Sequence, residues 1–251
     1  MYVVTIWFTM TTTLTALTKP KLTCSHGSDV LECPSCTELL PNSFWNRLTW
    51  KRFTPRENTI HVTSLTTCLR KTYLDTITPT EETVESAWAK LSSLLHYADR
   101  SLGWNELAVK MVFEIGDEEI TIIGFIDAYD PETATIYDLK TTRFVKWQAE
   151  KGFIPRQSHI AQVQCYATML ENYGIPAARL VLVYVDDKDI VPLQVPLGNR
   201  REWMIRRTTQ FHQAFTKETE PTPEIGSTCK YCPHLNVCPQ SEGTRFEAAT
   251  A

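Results

Sequence analysis

The chain has 251 residues, of which 43% are hydrophobic and 22% are charged, and its formal net charge is −4. These values are typical of a soluble globular protein with one large domain or a domain with small attachments, and they exclude a chain that is basic throughout. Contact with nucleic acid would therefore require a local basic face.

The amino terminus does not resemble a secretory signal. Its first eighteen residues carry no charge, so the basic n-region is missing, and no apolar run is long enough to span a membrane. Met10 is an alternative start. We expect a cytoplasmic protein that does not associate with membranes.

The first 60 residues read as an irregular extension that contains a group of possible metal ligands. Four of them lie within thirteen residues, namely Cys24, His26, Cys33 and Cys36. Clustered cysteines indicate metal ligation in a reducing compartment better than they indicate disulfides. A small zinc site is one interpretation of this group, and a disordered extension is the other.

The middle of the chain predicts an α/β domain. The Thr78-Pro79-Thr80-Glu81 run is a capping box, and the apolar stripe after it ends at Gly103. We predict that one domain, with a mixed central sheet flanked by helices, covers residues 61–240, and that residues 241–251 form a disordered tail. The elements expected after the first helix are strands at 106–115, 119–128 and 134–140, a helix at 157–173, a strand at 178–187 and a helix at 199–217.

Two acidic residues and a lysine form the most informative group in the sequence. Asp127 ends the run GFID, and Asp138 and Lys140 lie in the run YDLK of the next strand. Neighbouring antiparallel strands would bring the carboxylates together, and two converging carboxylates favour a divalent metal that binds oxygen. Lys140 would share the face of Asp138. Solvated side chains at a turn are the plainer interpretation, although charged groups in such apolar strands are costly.

Three further residues say little individually. His96 flanks a helical stripe, and Gln162 and Tyr166 share a helix face because they are four residues apart. A histidine or tyrosine in such a place is usually a packing residue.

In order and spacing, however, the series resembles the RecB-like branch of the PD-(D/E)XK nucleases, whose core has the restriction-endonuclease-like order αβββαβ. The resemblance rests on His96, Glu106, Gly124, Asp127, Asp138, Lys140, Gln162 and Tyr166. It implies that Mg²⁺ or Mn²⁺ is bound by His96, Asp127, Asp138 and the main-chain carbonyl of Leu139. It further implies that Lys140 assists the attacking water and that Gln162 and Tyr166 place the DNA, while members of the family vary at the position of Glu106.

The carboxy-terminal cysteines point to a second cofactor. Cys229, Cys232 and Cys238 supply three thiolates in one short loop. The segment around Cys68 resembles the region upstream of the histidine helix in the iron–sulfur nucleases, which include the CRISPR-associated RecB-like exonucleases and AddB-type nuclease domains. The resemblance implies that Cys68 completes a 4Fe–4S cluster. A zinc ion on the same four thiolates is the alternative.

Basic and aromatic residues after the lysine are candidate DNA contacts. Arg143, Lys146 and Arg156 could follow the phosphate backbone, and Trp147 and Phe153 could stack on unpaired bases. Four arginines of the last helix could extend this surface or lie on a solvated helix face, namely Arg200, Arg201, Arg206 and Arg207.

The sequence therefore predicts a metal-dependent DNA exonuclease or end-trimming nuclease with a 4Fe–4S cluster. Its expected substrate is DNA with single-stranded ends, and its expected setting is recombination, repair or CRISPR spacer acquisition, with an integrase or a recombination complex as partner. The alternatives are a non-catalytic DNA-binding module with structural zinc or iron–sulfur, and a redox-sensing iron–sulfur protein, which would leave the carboxylates unexplained.

Overall fold

The computed structural model describes residues 58–78, 104–217, 219–226, 229–238 and 244–245. The chain divides into two compact units, residues 1–51 and 52–251, and every described residue belongs to the second unit. The candidate zinc ligands Cys24, His26, Cys33 and Cys36 lie outside the described residues. The same holds for His96 and for almost all of the helix predicted to begin after Thr78.

A mixed sheet of six strands forms the centre of the described part of the chain. Its order is β1-β3-β4-β5-β6, and β2 pairs with the other edge of β3. The pairs β1–β3 and β4–β5 are parallel, whereas β2–β3, β3–β4 and β5–β6 are antiparallel. The strands are β1 Thr59–His61, β2 Trp104–Ile115, β3 Glu118–Asp130, β4 Thr135–Thr141, β5 Arg179–Val185 and β6 Ile190–Val195.

One edge of β3 is shared by two strands that do not meet. Strand β1 pairs with residues 121–123, and β4 pairs with residues 128–130. Both must lie on the same edge, because β2 occupies the opposite edge along residues 118–129. In the described part of the chain, residues 124–127 therefore have no ladder partner on this edge. We call this interval the β3 gap.

Helices cover the sheet because their apolar residues fit its buried side chains. The long helix α4 has buried residues around most of its circumference, including Val163, Met169 and Leu170. Its neighbour α5 buries Trp203 and Phe211. The helices are α1 Val62–Leu65, α2 Leu69–Ile77, α3 Val145–Glu150, α4 Gln157–Glu171 and α5 Arg201–Thr216.

A segment near the carboxyl end lies against α2 and α5. We call the described residues 219–226 and 229–238 the C-terminal strap. It contains β7 (Glu224–Ile225), which pairs with β8 (Thr244–Arg245), and two short 3-10 helices at Cys229–Tyr231 and Leu235–Val237. Among the contacts that hold it are ion pairs of Arg70 with Glu220 and of Arg207 with Glu224, and a contact of 2.8 Å between Nε2 of His234 and Oδ1 of Asp75.

The predicted α/β architecture with a mixed central sheet and flanking helices is confirmed. The predicted strands and helices between residues 104 and 216 match observed elements to within a few residues. Helices α1, α2 and α3 and strands β1 and β6 were not predicted, and β1 begins inside the segment expected to be irregular. In the described residues, none of the helices is long and apolar enough to cross a membrane.

Candidate active site

The β3 gap places the first carboxylate. Where β3 and β4 part, an Oδ2 atom of Asp127 accepts the backbone N–H of Leu139 at 2.7 Å. The side chain thus satisfies an amide that has no ladder partner on β3, since the β3–β4 pairing stops at Ala128 and Tyr137. The carboxylate is thereby fixed next to the main chain of β4.

The second carboxylate lies one residue before that amide and is buried. Asp138 is 1% exposed, and its carboxylate forms an ion pair with the Lys140 ammonium at 2.7 Å. The two side chains lie on one face of β4 because they are two residues apart in a strand. A buried carboxylate requires a cation nearby, and Lys140 supplies one in this structure.

Helix α4 contributes the third part of the site. Gln162 donates from Nε2 to the Tyr166 hydroxyl at 2.8 Å and approaches the Thr63 hydroxyl at 3.5 Å. Burial raises the pKa of Tyr166 well above its usual value, and the nearby Asp138 and Asp127 raise it further. Both carboxylates thus raise the pKa of the same hydroxyl.

Packing explains why a glycine, Gly124, lies at the start of the β3 gap. A Cβ on this residue would lie 2.6 Å from Cε1 of Tyr166 and 3.2 Å from Cγ2 of Val62. Glycine therefore lets the tyrosine ring lie directly on β3. This contact links the G-x-x-D run to the Q-x-x-x-Y run, a link that sequence spacing does not reveal.

The donors present suit a hard divalent cation. Two carboxylates and the backbone carbonyl of Leu139 are oxygen ligands, which Mg²⁺ and Mn²⁺ prefer, and Mg²⁺ commonly takes one or two carboxylates together with water and substrate phosphates. Across the described ranges, no three side chains of His, Cys, Asp or Glu are grouped to hold a metal ion. His96, the remaining ligand implied by the resemblance, lies outside those ranges. The side chain of Glu106 is likewise not described.

Two neighbours of the site were not identified from the sequence. Tyr184 lies opposite Lys140 in the β4–β5 ladder, and its hydroxyl lies 2.7 Å from Nδ1 of His159. Its ring is also stacked on the histidine ring, with centroids 5.7 Å apart. His159 precedes Gln162 by three residues on α4, and this spacing is the signal that could have found it.

The candidate DNA contacts separate into an exposed and a buried group. Arg143 and Arg156 are close in sequence to residues of the site. Exposed aromatic residues follow Arg143: Phe144 is 72%, Trp147 51% and Phe153 58% exposed. Trp147 and Phe153 contact each other edge to face at 5.3 Å. Lys146 is exposed on the same short helix α3.

A cleft of about 430 Å³ is lined on one side by Arg143, Phe144, Lys146 and Trp147, and the remainder of its lining consists of Lys188 and four acidic residues, namely Glu150, Asp186, Asp187 and Asp189. Asp186 from that lining accepts the N–H of Val145 at 2.9 Å and so stabilises the start of α3. Backbone N–H donors, that of Val145 foremost, hold the pKa of Asp186 below its usual value. The acidic side of the cleft does not suit a phosphate backbone, so phosphate contacts are expected only on the side of Arg143 and Lys146.

The structure corrects the interpretation of two arginines in the last helix. Arg200 is 5% exposed and donates to the Gln164 side chain at 2.8 and 2.6 Å. Arg207 is 7% exposed and donates to the carbonyls of Leu65 and Thr67. Both guanidinium groups hold helices together, so they are not available to a DNA channel.

The four cysteines implied as cluster ligands lie at the junction of α2 and the strap. Cys68 is the residue before α2, and Cys229, Cys232 and Cys238 lie in the strap. Burial raises the pKa of Cys238, Arg70 lowers it, and the thiols of the other three raise it. The Cys229 sulfur also accepts the N–H of Gly226 at 3.3 Å. The other three thiols thus act on Cys238, although no closed group of metal ligands is present among the described residues.

Comparison with known proteins identifies the same domain. Residues 49–239 match the profile of the PD-(D/E)XK nuclease superfamily. The crystal structure of SSO0001 superposes with a TM-score of 0.61 at 22% identity, over 83% of this chain and 98% of that one, and shows that the two share a fold. No curated protein sequence matches the chain.

Two solved structures are more distant. One is a candidate exonuclease of Eubacterium rectale, with a TM-score of 0.34 at 13% identity over 73% of this chain and 76% of that one. The other is a phage-related exonuclease of Haemophilus somnus 129PT, with a TM-score of 0.30 at 13% identity over 64% of this chain and 96% of that one. Likenesses at this level carry no argument about this chain.

Proposed function

Since the chain belongs to the PD-(D/E)XK nuclease superfamily, we propose that it is a metal-dependent deoxyribonuclease that trims DNA ends. The observation that carries the proposal is the buried Asp138–Lys140 pair beside Asp127 at the β3 gap. An acidic pair that binds metal and a lysine on the same face are the groups that phosphodiester hydrolysis requires.

The chemistry follows from the roles of these side chains. Asp127, Asp138 and the Leu139 carbonyl would hold Mg²⁺ or Mn²⁺, with His96 as a further ligand. The bound ion supplies an acidified water and charge to polarise the phosphate. Lys140, whose ammonium pairs with Asp138, would orient the attacking water or neutralise charge on the phosphate. Gln162 and Tyr166 then present a paired amide and hydroxyl to the substrate.

The proposed substrate is DNA with single-stranded ends. Arg143, Lys146 and Arg156 can neutralise phosphates, and the exposed rings of Phe144, Trp147 and Phe153 can stack on unpaired bases. Such contacts read no sequence, because phosphates and ring faces carry almost no base information. We therefore expect cleavage without a defined recognition site.

We further propose that Cys68, Cys229, Cys232 and Cys238 hold a 4Fe–4S cluster. The thiol donors are chemically suitable, and three of them lie in a segment that contacts α2 through the Arg70–Glu220 ion pair and through His234 and Asp75. If the four cysteines hold such a cluster, the chain would belong to the RecB-like branch with iron–sulfur clusters and would act in recombination, repair or CRISPR spacer acquisition.

The decisive experiment is cleavage of end-labelled single-stranded and duplex DNA by the full chain, purified without oxygen, with Mg²⁺, Mn²⁺ or EDTA. We expect cleavage with either metal, none with EDTA, and none by Asp138→Ala. DNA binding without cleavage by the wild-type protein in Mn²⁺ would overturn the proposal in favour of a non-catalytic binding module. The absorption spectrum with iron and zinc analysis decides the cluster: about four irons per chain are expected, whereas zinc alone would exclude it.

A further inference from the structure

His159 belongs to the same face of α4 as the two residues assigned to the substrate. Residues 159, 162 and 166 are spaced by three and four, so their side chains form one row along the helix. Gln162 and Tyr166 occupy the two later positions of that row. The first position carries a histidine with no role in the chemistry described so far.

Tyr184 fixes the orientation and the tautomer of this histidine. The tyrosine hydroxyl accepts the backbone N–H of Arg156 at 3.1 Å and lies 2.7 Å from Nδ1 of His159. Because its oxygen already accepts one bond, the hydroxyl best satisfies its own hydrogen by donating to Nδ1. The ring proton is then on Nε2, which has no hydrogen-bond partner among the described residues, and the ring is only half buried.

The surroundings keep the ring neutral. Burial lowers the pKa of His159 to about 2, and the positive charges of Lys140 and Arg156 contribute to the decrease. Tyr184 lies in register with Lys140, which brings the histidine near the catalytic lysine. A third cation would be costly there, whereas a neutral N–H can still donate to an anion.

We propose that His159 donates from Nε2–H to a backbone phosphate of the nucleic acid, beside the phosphate contacts of Lys140, and that Tyr184 holds it in position for this bond. This inference rests on the proposed function, because it assigns a substrate contact in the same site. The recognised group is a non-bridging phosphate oxygen. The site would then contain one charged and one neutral donor of fixed geometry.

Three variants separate a phosphate donor from a packing residue. His159→Phe keeps a ring to stack on Tyr184 but removes both nitrogens, and we expect a rise in KM of about tenfold, the effect of losing one hydrogen bond to a charged group. His159→Gln retains an N–H donor and should recover a large part of the loss. Tyr184→Phe should produce an intermediate rise, because the donor remains but is no longer oriented.

A substrate series locates the contact. Single-stranded DNA with one methylphosphonate linkage lacks a charged non-bridging oxygen at that position. The linkage is moved along the strand, and KM is measured with wild-type protein and with His159→Phe. We expect one position at which the rise in KM caused by the methylphosphonate and the rise caused by His159→Phe do not add, so that this linkage does not raise the KM of the variant further. Simple additivity at every position, or equal losses for His159→Phe and His159→Gln, would overturn the inference.

The outcome is distinguishable from failure of the proposed function. A wild-type protein that cleaves DNA, together with additive losses in the substrate series, rejects the role of His159 and leaves the nuclease intact. A wild-type protein that binds DNA without cleaving it rejects the nuclease, and dissociation constants for the same series then decide whether the histidine contact exists. Thermal unfolding of each variant shows whether a loss reflects misfolding.

Discussion

The active site and the C-terminal strap are held in place by different kinds of interaction. Asp138 and Lys140 sit on a central strand with ladder partners on β5, and the helix above them is buried on several sides. The strap has two short 3-10 helices and a two-residue strand in its described part. Its attachments to the remainder include ion pairs of Arg70 and Arg207 and a contact between His234 and Asp75. A position on a packed sheet needs no further support, whereas an irregular segment with few apolar contacts depends on charged contacts and, we propose, on a cluster.

The largest expected effect is the loss of activity when a lysine of the active site is replaced and the strap is left unchanged. Lys140→Met removes the ammonium that pairs with Asp138. We expect kcat to fall roughly a thousandfold, because a positioned charge or proton-transfer group is lost from the reacting centre. Iron content should not change. Lys217→Met, at the exposed end of α5, is the matched control, and equal activity of the two variants would contradict the assignment.

The second prediction concerns a substitution that weakens the attachment of the strap and leaves the catalytic side chains in place. Arg207 donates to Leu65 and Thr67 carbonyls and pairs with Glu224 while 7% exposed. Arg207→Ala would leave these carbonyls without the guanidinium donor and the carboxylate with only the N–H of Leu69, and breaking a buried pair costs about 3–5 kcal/mol. Urea unfolding and iron analysis should show lower stability and lost iron. The exposed neighbour Arg206→Ala should change neither.

The third prediction concerns packing inside the site. Gly124→Ala places a methyl group 2.6 Å from the Tyr166 ring, so the ring must move. We expect a loss of about 1–3 kcal/mol of stability from overpacking, and a fall in kcat/KM of up to about a hundredfold from the displaced hydroxyl. In the double variant with Tyr166→Leu, stability should recover and activity should not. Recovery of both would show that the tyrosine is a packing residue.

The smallest expected effect is a pH dependence of the free energy of unfolding, which arises from His159 in the active site and not from the strap. The folded protein keeps His159 neutral, with a pKa of about 2, whereas the unfolded chain takes up a proton below about 6.5. Stability therefore decreases as pH falls through 6.5, by at most about 1.4 kcal/mol per pH unit. Between pH 7 and pH 5 the wild-type protein should lose about 2 kcal/mol more than His159→Phe in metal-free urea unfolding. Parallel losses would show that the ring is protonated in the fold.

The sequence predicted the part of the site that depends on local pattern. Asp127 and Asp138 stand out because they interrupt apolar strands, and the turn between these strands predicts their proximity. The three-residue β1 is too short to have a periodicity, so the β3 gap was not foreseen. The gap arises from a pairing across about sixty residues, and no local pattern encodes that distance.

Buried polar residues were harder to interpret. Arg200 and Arg207 were placed on a DNA-facing or solvated surface because arginine is rarely buried without partners. The partners are Gln164 for one and Glu224 for the other, and both are distant in sequence. His159 was overlooked for a similar reason, since its partner Tyr184 lies on another element.

The β3 gap also has a consequence for the order of folding. The meander β2-β3-β4 is antiparallel with short connections, whereas β1 joins β3 in parallel from a distant point of the chain. Local pairings form quickly, and long-range parallel pairings form late because a large loop must close first. A chain caught before that closure would already carry Asp127, Asp138 and Lys140, yet would lack Val62 and Thr63 beside Tyr166 and Gln162. We therefore expect nuclease activity to appear only after β1 has paired with β3, later than the meander forms.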